Sequence, residues 1–545
     1  MVRAIVIGGG ATGAGVLRDL AMRGIPAALV ERGDLVSGTS SRYHGLLHSG
    51  GRYAVKDRES AEECARENAI LRRIAEWAIE PCGGLFVQLK QDDPSYAEKW
   101  VPAAKAAGIP VEPVDPDQVR REVPGISPNI VAAYRVPDAA IDAFRLITAN
   151  VAAAQALGAK VYTYRKVIGM LKDGDRVVGV RMLNQLTGEE EKLEAEIVIN
   201  AAGPWSGQVA ALAGIHEDIV PDRGVLLVYH GRLCNQVINR LRPPGNADIF
   251  VPTGTITMLG TTATPVDDPD NIDVPPEDVE ELMRLGAELL PAAATARIVR
   301  AFAGCRPLYK PKGIQGDTRN IPRTYVVIDH EQDGVPGLVS ILGGKLTTYR
   351  EMAEKTVDIV AKHLGVTTPC RTAEEPILPP PDPEAVKKII SLAGPARSQA
   401  IIQRHPAELN MVAEELARPH GAEVLCECEQ VTVGEILATA KSLPTPSLAD
   451  IRKRTRMGMG TCQGAFCGYR AILAMANAGI VADHEAETLL LDFQAERWRG
   501  IASAFPGTEM RAAEMTYALY SNLLGPLAER PVERPVITVG GGSKR

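Results

Sequence analysis

The apolar residues near the N-terminus are spaced as in two buried strands separated by an amphipathic helix. Residues 2–7 read "VRAIVI" and residues 26–32 read "PAALVER", two apolar runs of strand length. Between them, residues 11–24 read "ATGAGVLRDLAMRG", with apolar positions at helical spacing and a glycine at the end. These segments predict one βαβ unit at the front of the chain.

Three later segments predict further regular structure. Residues 195–206, "AEIVINAAGPWS", form another apolar run that ends at a Gly-Pro turn. Residues 161–183, "VYTYRKVIGMLKDGDRVVGVRML", carry an Asp-Gly signal between two strand-like halves and predict an antiparallel hairpin. Residues 341–365, "ILGGKLTTYREMAEKTVDIVAKHLG", predict a strand end, a glycine pair and a long helix. Strands and helices mixed in this way predict an α/β fold.

A proline-rich segment predicts a domain boundary. Residues 376–385 read "PILPPPDPEA", and a segment so rich in proline continues neither a helix nor a sheet. The chain of 545 residues is too long for a single core and predicts two or three domains.

Composition excludes several classes of protein. The formal net charge of −7 argues against a nucleic-acid-binding protein, which normally presents a basic face. No apolar run approaches the roughly 18 residues of a membrane span, and the glycines at 8–10 interrupt any signal-peptide core. We therefore expect a cytoplasmic chain with reduced thiols. Of its nine cysteines, five are scattered and are expected to be small buried side chains.

The glycines after the first strand form a nucleotide-binding motif. Gly8, Gly10 and Gly13 match G-x-G-x-x-G, and Glu31 ends the second strand. Gly8 permits the tight turn, Gly10 lets a pyrophosphate approach the backbone, and Gly13 lets the helix pack on the strand. The phosphates then lie at a helix N-terminus, and the carboxylate of Glu31 accepts hydrogen bonds from a ribose.

The motif alone does not distinguish FAD from NAD, but two other segments favour FAD. Residues 37–55, "SGTSSRYHGLLHSGGRYAV", are rich in small, hydroxyl and histidine side chains that suit a loop laid against an isoalloxazine ring. The segment "GGKLTTYR" at 343–350 starts a helix whose N-terminal dipole can stabilise an anionic reduced flavin.

These motifs, together with "CRPL" at 305–308, resemble the FAD-dependent glycerol-3-phosphate dehydrogenases over essentially the whole chain. With its four-cysteine tail, the chain resembles the large catalytic A subunit of the anaerobic, quinone-linked enzyme. The resemblance implies a Rossmann-like FAD-binding domain interleaved with an antiparallel substrate-binding sheet, plus a small helical four-cysteine domain. The predicted division is an oxidoreductase domain at 1–375 (FAD parts 1–82, 141–221 and 321–375; substrate parts 83–140 and 222–320), a linker at 376–420, a [2Fe–2S] domain at 421–475 and a helical tail at 476–545.

The resemblance also implies a set of FAD-binding residues. Most lie in the glycine turn, at the end of the second strand, in the 37–55 segment and at the start of the late helix. The set is Gly8, Gly10, Ala11, Thr12, Gly13, Glu31, Arg32, Thr39, Ser40, Ser41, Gly45, Leu46, His48, Val167, Ala202, Gly203, Gly343, Gly344, Lys345, Leu346 and Thr347.

A phosphorylated substrate needs fixed positive charge beside the flavin. The predicted substrate-binding residues, which match the family's positions, are Arg52, Tyr53, Arg323, Lys345 and Thr347. Arg306 is predicted to contact the carbinol oxygen. Dehydrogenation of a secondary alcohol also needs a base, and a histidine titrates near neutrality. His48 is preferred to His44 because a glycine pair follows it and can admit substrate.

Four clustered cysteines predict a metal centre. Cys426 and Cys428 are separated by 33 residues from the pair Cys462 and Cys467, with two predicted helices between the pairs. Four thiolates suit a [2Fe–2S] cluster or tetrahedral zinc, and an empty site is the third alternative. The spacing resembles the bacterioferritin-associated-ferredoxin-like domain. The basic run at 452–454 is expected either to face the cluster or an acidic partner, or to be an exposed helix face.

The resemblance implies oxidation of sn-glycerol 3-phosphate to dihydroxyacetone phosphate, with electrons leaving through the cluster to a quinone. It implies two partners, an iron–sulfur membrane anchor and a second flavoprotein-like subunit, through which the chain docks on the cytoplasmic face of the membrane. Two alternatives are an amine, opine or other hydroxy-acid dehydrogenase subunit of the same fold, and a non-catalytic flavoprotein scaffold. A cationic pocket argues against an amine substrate, and an intact flavin segment argues against a scaffold.

Overall fold

The computed structural model describes residues 2–310, 321–504 and 509–524. Its first layer is a mostly parallel sheet. Strands and helices are numbered in chain order, and the sheet contains β1 (Ala4–Ile7), β2 (Ala27–Val30), β9 (Lys160–Tyr162), β13 (Ile197–Asn200), β20 (Tyr325–Asp329) and β21 (Leu338–Gly343). The strand order is β20-β21-β13-β1-β2-β9, and only β20 runs antiparallel to its neighbour. All four residues of β1, β2 and β13 are buried, which explains why their sequences are apolar except for Asn200 at the end of β13.

Three helices cover this sheet: α1 (Ala11–Met22), α5 (Ala143–Ala156) and α8 (Tyr349–His363). Their buried faces share one core with the strands. The predicted βαβ unit and the long late helix are confirmed, because α1 lies between β1 and β2 and α8 ends at His363. Gly24, with φ at +76°, follows the helix in the left-handed region that favours glycine.

The second layer is a nine-stranded sheet formed by β5 (Gly84–Leu89), β6 (Glu112–Val114), β7 (Ile130–Val136), β14 (Ile219–Tyr229), β15 (Val237–Arg240), β16 (Ile249–Thr253), β17 (Ile256–Gly260), β18 (Thr264–Pro265) and β19 (Ile298–Tyr309). The sheet was predicted to be antiparallel, and the only difference among its described pairings is β15, which runs parallel to β5. The long strands β14 and β19 of this sheet pair with each other, and they extend toward the first sheet. In their pairing Arg306 lies opposite Asp222.

Shorter elements complete the first two layers. The predicted hairpin at 161–183 is confirmed as β10 (Arg165–Asp173) and β11 (Arg176–Asn184), which β12 (Glu190–Glu194) extends. A three-stranded sheet contains β3 (Leu46–Leu47), β4 (Ile79–Glu80) and β8 (Ala139–Ile141). The remaining helices before residue 300 are α2 (Arg58–Ile74), α3 (Pro94–Ala106), α4 (Pro116–Glu122), α6 (Ser206–Ala211) and α7 (Pro276–Leu289).

The C-terminal part is helical. A first bundle contains α9 (Pro383–Ala393), α10 (Pro395–Arg404) and α11 (Leu409–Leu416). We call the next part the cysteine module: β22 (Val424–Cys426), β23 (Val431–Thr432), α12 (Val433–Ser442), α13 (Leu448–Thr455), α14 (Cys467–Asn477) and α15 (Asp483–Ala502). The last helix described is α16 (Glu509–Leu524).

The core of the cysteine module continues past residue 475, because Leu490 and Phe493 of α15 pack with Cys426 and Cys467. The proline-rich segment is not a free linker, since Ile377 is buried and its N–H donates to Ile74. The division into domains stays a prediction, and parts of its ranges 222–320 and 476–545 lie outside the described residues. No helix in the described ranges combines the length and apolar character needed to cross a bilayer.

Candidate active site

One cavity of about 630 Å³ opens at the carboxyl ends of the parallel strands and extends to the nine-stranded sheet. This is the place where sheets of this type bind ligands. Many of the predicted site residues line it. They are Gly8, Gly10, Ala11, Thr12, Glu31, Arg32, Thr39, Ser40, Leu46, His48, Arg52, Tyr53, Val167, Ala202, Gly203, Arg306, Arg323, Gly343, Gly344, Lys345, Leu346 and Thr347.

Three predicted cofactor-binding residues do not line this cavity: Gly13, Ser41 and Gly45. Gly13 has a packing role, because a Cβ there would lie 1.9 Å from the carbonyl oxygen of Gly8. Ser41 donates its hydroxyl to the carbonyl of Gly38 at 2.8 Å. Gly45 has φ at +78° and faces Met258 and Thr253.

The glycine turn is built for an anionic group. Gly8 has φ at +112°, and a Cβ there would lie 2.5 Å from the carbonyl oxygen of Ala201. The N-cap residue of α1, Gly10, has no side chain to cap the helix, and the N–H of Ala11 donates to the hydroxyl of Ser40 at 3.1 Å. The positive end of the helix dipole therefore faces the cavity, as a pyrophosphate requires.

The residues after β2 form the second wall of the nucleotide end. Glu31 accepts the N–H of Gly9 at 2.7 Å and that of Gly33 at 2.9 Å, which fixes its carboxylate at the end of the strand. The guanidinium of Arg32 lies 4.1 Å from the centre of the Trp205 ring. Trp205 lines the cavity and was not predicted, although it closes the "AAGPW" turn after a buried strand.

Cationic side chains gather at the other end of the cavity. Arg306 donates to Asp222 at 2.6 Å and to the carbonyl of Thr262 at 2.9 Å. Arg52 donates to Asp248 at 3.1 Å and to the carbonyl of Gly245 at 2.9 Å. Both guanidinium groups are thus anchored by buried carboxylates, which holds their charge in place.

Arg323 and Lys345 differ in the donors they have available. Nη1 of Arg323 is buried and has no hydrogen-bond partner within the described part of the chain. Burial and the nearby Arg306 lower the pKa of Arg323, so a bound anion would relieve both effects. Lys345 donates to Ser60 at 3.0 Å, to Glu63 at 3.1 Å and to the carbonyl of Arg323 at 2.8 Å. Its three N–H groups are therefore taken, and it supplies charge without a free donor.

Two histidines face each other in the cavity, with ring centres 5.5 Å apart. Burial, Arg306 and Arg52 lower the pKa of His44 to about 3. Burial, His44, Arg52 and Lys345 lower the pKa of His48 well below its ordinary value. Both imidazoles are therefore neutral near pH 7, and a neutral imidazole can accept a proton.

The 37–55 segment is held against the start of the late helix. The N–H of His48 donates to the hydroxyl of Thr347 at 3.2 Å, and Asn68 donates to the carbonyl of His48 at 3.0 Å. His48 also lies 5.6 Å from the Tyr53 ring. These contacts bring together residues that are almost 300 positions apart in the chain.

Some residues of the cavity wall were not predicted. They include Tyr43, Lys166, Thr261 and Thr262. The hydroxyl of Thr261 accepts a hydrogen bond from Arg306, and Thr262 donates to Asp278 at 3.2 Å. The sequence "GTTATP" around these threonines contains no recognisable motif, so only their contacts with Arg306 in the structure identify them as residues of the site.

The cysteine module brings its four thiols together. Cys467 forms side-chain hydrogen bonds with Cys426 and Cys462, and Cys462 forms another with Cys428. No disulfide joins them. The hydrogen bond from Cys467 lowers the pKa of Cys426 to about 7 and that of Cys462 to about 5. These thiols are thus partly prepared to become thiolate ligands.

The four sulfurs are linked in a row, Cys426 to Cys467, Cys467 to Cys462 and Cys462 to Cys428. Four thiol ligands suit either a [2Fe–2S] cluster or a tetrahedral zinc ion, so the donor set fits both. Within the described residues, Asp329, Glu331 and His363 form another group of possible metal ligands, whose ligand atoms all lie within 4.8 Å of one another.

The basic run at 452–454 does not form an exposed helix face. Arg452 pairs with Glu496 at 3.1 Å, while Lys453 and Arg454 pair with Asp34 at 3.3 and 2.6 Å. The two acidic residues that they meet, Glu496 and Asp34, belong to the same chain. Of the alternatives left open for this run, the exposed helix face is therefore not the one found, because helical periodicity does not tell which face another part of the chain covers.

Comparisons with known proteins agree with this geometry. Residues 3–350 match the family described as FAD dependent oxidoreductase, the class of protein that the fold and the glycine turn define. The chain belongs to this family and, within it, to the A subunits of anaerobic glycerol-3-phosphate dehydrogenase. The A subunit of that enzyme from Escherichia coli (strain K12) is 43% identical over 533 residues, which is 96% of each chain. The A1 subunit from Haloferax volcanii is 41% identical over 532 residues, or 95% of this chain and 89% of that one.

A solved structure shows the same fold. The glycerol-3-phosphate dehydrogenase from Bacillus halodurans, complexed with FAD, has a TM-score of 0.65. The alignment covers 93% of this chain and 97% of that chain, at 23% sequence identity. The predicted α/β fold of the FAD-dependent dehydrogenases is therefore confirmed.

The cavity fits FAD on its own geometry. One end holds a helix N-terminus whose N-cap residue is a glycine and a turn in which Gly8 leaves no room for a Cβ, as a pyrophosphate needs. The other end holds Gly343 and Gly344, both with φ at +80°, at the start of the Leu346–Thr348 turn. When bound, FAD supplies the acceptor for a hydride.

Proposed function

We propose that this protein oxidises sn-glycerol 3-phosphate to dihydroxyacetone phosphate with FAD as the hydride acceptor. The carrying observation is the buried Nη1 of Arg323, which has no partner in the described part of the chain and lies in a cavity that also holds Arg306 and Lys345. An unsatisfied buried guanidinium N–H costs free energy that a substrate phosphate would recover. The names of the relatives point to the same substrate.

The division of labour among the residues follows their contacts. Arg323 offers a free donor to the phosphate, and Arg52 and Lys345 add fixed charge. Arg306, held by Asp222 and Thr261, is oriented toward the carbinol oxygen. His48 takes the hydroxyl proton as the C2 hydride leaves for the flavin, because its imidazole is neutral near pH 7. An amine substrate carries no phosphate dianion and would leave part of this positive charge without a counterpart.

An anaerobic reduction experiment tests this proposal. The FAD-loaded protein is mixed with sn-glycerol 3-phosphate without oxygen, and the visible flavin absorption band is followed. The band should bleach with this substrate and persist with glycerol, which lacks the phosphate. Bleaching with amino acids or opines instead would favour the alternative of an amine or opine dehydrogenase, and no bleaching with any of them would favour a scaffold.

We infer that Cys426, Cys428, Cys462 and Cys467 hold a [2Fe–2S] cluster. Four thiols gathered in one module supply the ligands that such a cluster needs, and two of them have a lowered pKa. The cluster would supply a one-electron route away from the flavin. Anaerobically prepared protein should contain about two irons and two acid-labile sulfides per chain, and stoichiometric zinc would refute the assignment.

We also propose that other subunits link the chain to a quinone. The relatives are named as subunits, and a quinone lies in a membrane, for which the described part of this chain has no spanning helix. Partners of the two predicted kinds, an iron–sulfur anchor and a flavoprotein-like subunit, would hold it at the cytoplasmic face. Binding of the purified chain to protein-free lipid vesicles would contradict docking through partners.

A further inference from the structure

The cysteine module binds directly to the nucleotide end of the cavity. We call residues 31–41 the nucleotide loop. Arg454 of α13 donates through both terminal nitrogens to Asp34, at 2.6 and 2.8 Å. Lys453 donates to Asp34 at 3.3 Å, to the carbonyl of Leu35 at 3.3 Å and to the hydroxyl of Ser37 at 2.9 Å. Two side chains of one helical turn thus hold three residues of this loop, Asp34, Leu35 and Ser37.

The same loop forms the wall of the FAD cavity. Glu31, Ser37 and Ser40 line it. Inside the loop, the N–H of Val36 donates to the carbonyl of Gly9 in the glycine turn at 3.0 Å. The nucleotide loop is therefore fastened to the glycine turn on one side and to α13 on the other.

The held conformation is strained. Val36 is fully buried and has φ at +59°, a region that β-branched residues rarely adopt. Tyr164, whose N–H donates to Gly33 at 2.8 Å, has φ at +56°, and its hydroxyl donates to Asp450 of α13. Such conformations persist only where surrounding contacts impose them. Here α13 supplies contacts beside both strained residues.

The charge of Asp34 also depends on α13. Its side chain is 1% exposed. Burial would raise the pKa of Asp34, but Arg454 and Lys453 lower it below its ordinary value. Without these cations the loop would bury an uncompensated carboxylate in this conformation.

We propose that α13 of the cysteine module is a clamp that holds the nucleotide loop in its FAD-binding conformation, with Lys453 and Arg454 as positioning residues for the cofactor. Neither residue lines the cavity, so each acts through Asp34, Leu35 and Ser37. The module then has a second role, independent of any metal at its thiols. Because coupling between sites is reciprocal, bound FAD would also stabilise the docked module.

The test measures FAD affinity rather than activity. The full-length, FAD-loaded protein is diluted, and released flavin is followed by its fluorescence in wild type and in Lys453→Met/Arg454→Met. The dissociation constant should rise at least about tenfold, since charge-assisted hydrogen bonds to the loop are lost. The matched control is Lys387→Met, which removes an exposed lysine paired with Glu384 and should leave the constant unchanged.

Three further variants, Asp34→Asn, Arg454→Met and Arg454→Lys, keep the test decisive. Asp34→Asn keeps the shape of the side chain and removes its charge, so it should weaken FAD binding on its own, whereas Arg454→Lys should restore part of the affinity lost in Arg454→Met. Circular dichroism and thermal unfolding of the FAD-free proteins identify variants that fold normally. A folded Asp34→Asn or Lys453→Met/Arg454→Met protein that binds FAD as wild type does would overturn the clamp. So would unchanged affinity in Arg454→Met, because the conservative variant would then have nothing to restore.

Discussion

Arg306 donates from Nη1 to the buried carboxylate of Asp222 at 2.6 Å, across the paired strands β14 and β19. The two residues are direct partners in the strand register. The guanidinium is therefore fixed by the backbone as well as by its ion pair, so the proposed contact with substrate would be made in one orientation. A cation held in this way can stabilise charge on a carbinol oxygen without reorganising during the reaction.

Replacing Arg306 by Ala should lower turnover by about 10²–10³-fold, because an oriented charge at the reacting oxygen is lost. FAD should stay bound, since Arg306 lies at the substrate end of the cavity. Steady-state kinetics and flavin absorbance measure the two effects. Arg284→Ala, which removes an exposed arginine of α7, serves as the control. Wild-type turnover in Arg306→Ala would show that its charge is not used.

Replacing Arg323 by Met should raise KM for sn-glycerol 3-phosphate by about 10- to 150-fold, the range for a lost hydrogen bond to a charged group. The free energy of unfolding should not fall, because the substitution removes a buried guanidinium N–H that has no hydrogen-bond partner in the described part of the chain. Initial-rate kinetics measure KM, and thermal unfolding of the substrate-free protein measures the change in stability. An unchanged KM would remove Arg323 from the phosphate site.

The His48→Ala variant should lose flavin reduction while its affinity for substrate changes little, because His48 is the proposed base and its neutral imidazole adds no charge to the substrate site. Burial keeps the pKa of His48 well below its ordinary value of 6.5. The wild-type reduction rate should therefore persist as pH falls through 6.5 and decline only at clearly lower pH. Rapid mixing across this pH range, with the exposed His216→Ala as control, measures it. Unchanged reduction in His48→Ala would place the base elsewhere.

His44 should make stability depend on pH. Its folded pKa is about 3 and its ordinary value is 6.5, so below 6.5 the unfolded chain binds a proton that the folded protein excludes. Its contribution to the free energy of unfolding is constant above 6.5 and falls by about 1.4 kcal/mol per pH unit from 6.5 toward 3. The free energy of unfolding is measured against pH for the wild type and for His44→Asn. The difference between the two proteins isolates the contribution of His44 from that of the other titrating groups. A difference between the two proteins that does not change with pH would refute the neutral buried imidazole.

The Cys462→Ser variant should separate the two half-reactions. Every substrate candidate lies before residue 376 and Cys462 lies in the cysteine module, so substrate should still bleach the flavin. Iron content should fall, and electron delivery to the quinone-linked acceptor should fail. Cys82→Ser, outside the thiol group, should keep its iron and both activities. Normal delivery by an iron-free Cys462→Ser protein would rule out the cluster as the electron route.

The sequence alone predicted the features that depend on neighbouring residues. The βαβ unit follows from apolar spacing, and the glycine turn follows from φ and packing requirements that only glycine meets at Gly8 and Gly13. The C-x-C and C-x₄-C spacings were enough to predict a thiol group, because the four sulfurs only had to be brought together by two short helices.

Tertiary structure decided which charges are available. Sequence reasoning assigned Arg306 to the carbinol oxygen and Arg52, Arg323 and Lys345 to the phosphate. Only contacts from distant segments show that buried carboxylates anchor Arg52 and Arg306. They also show that all three N–H groups of Lys345 are taken and that Arg323 keeps a buried donor without a partner in the described part of the chain. In the same way, no local pattern could show that the basic run meets Asp34, more than 400 residues earlier in the chain. Periodicity tells which residues share a face, but what covers that face is set by long-range packing, and burial by that packing determines the pKa and the free donors of each side chain.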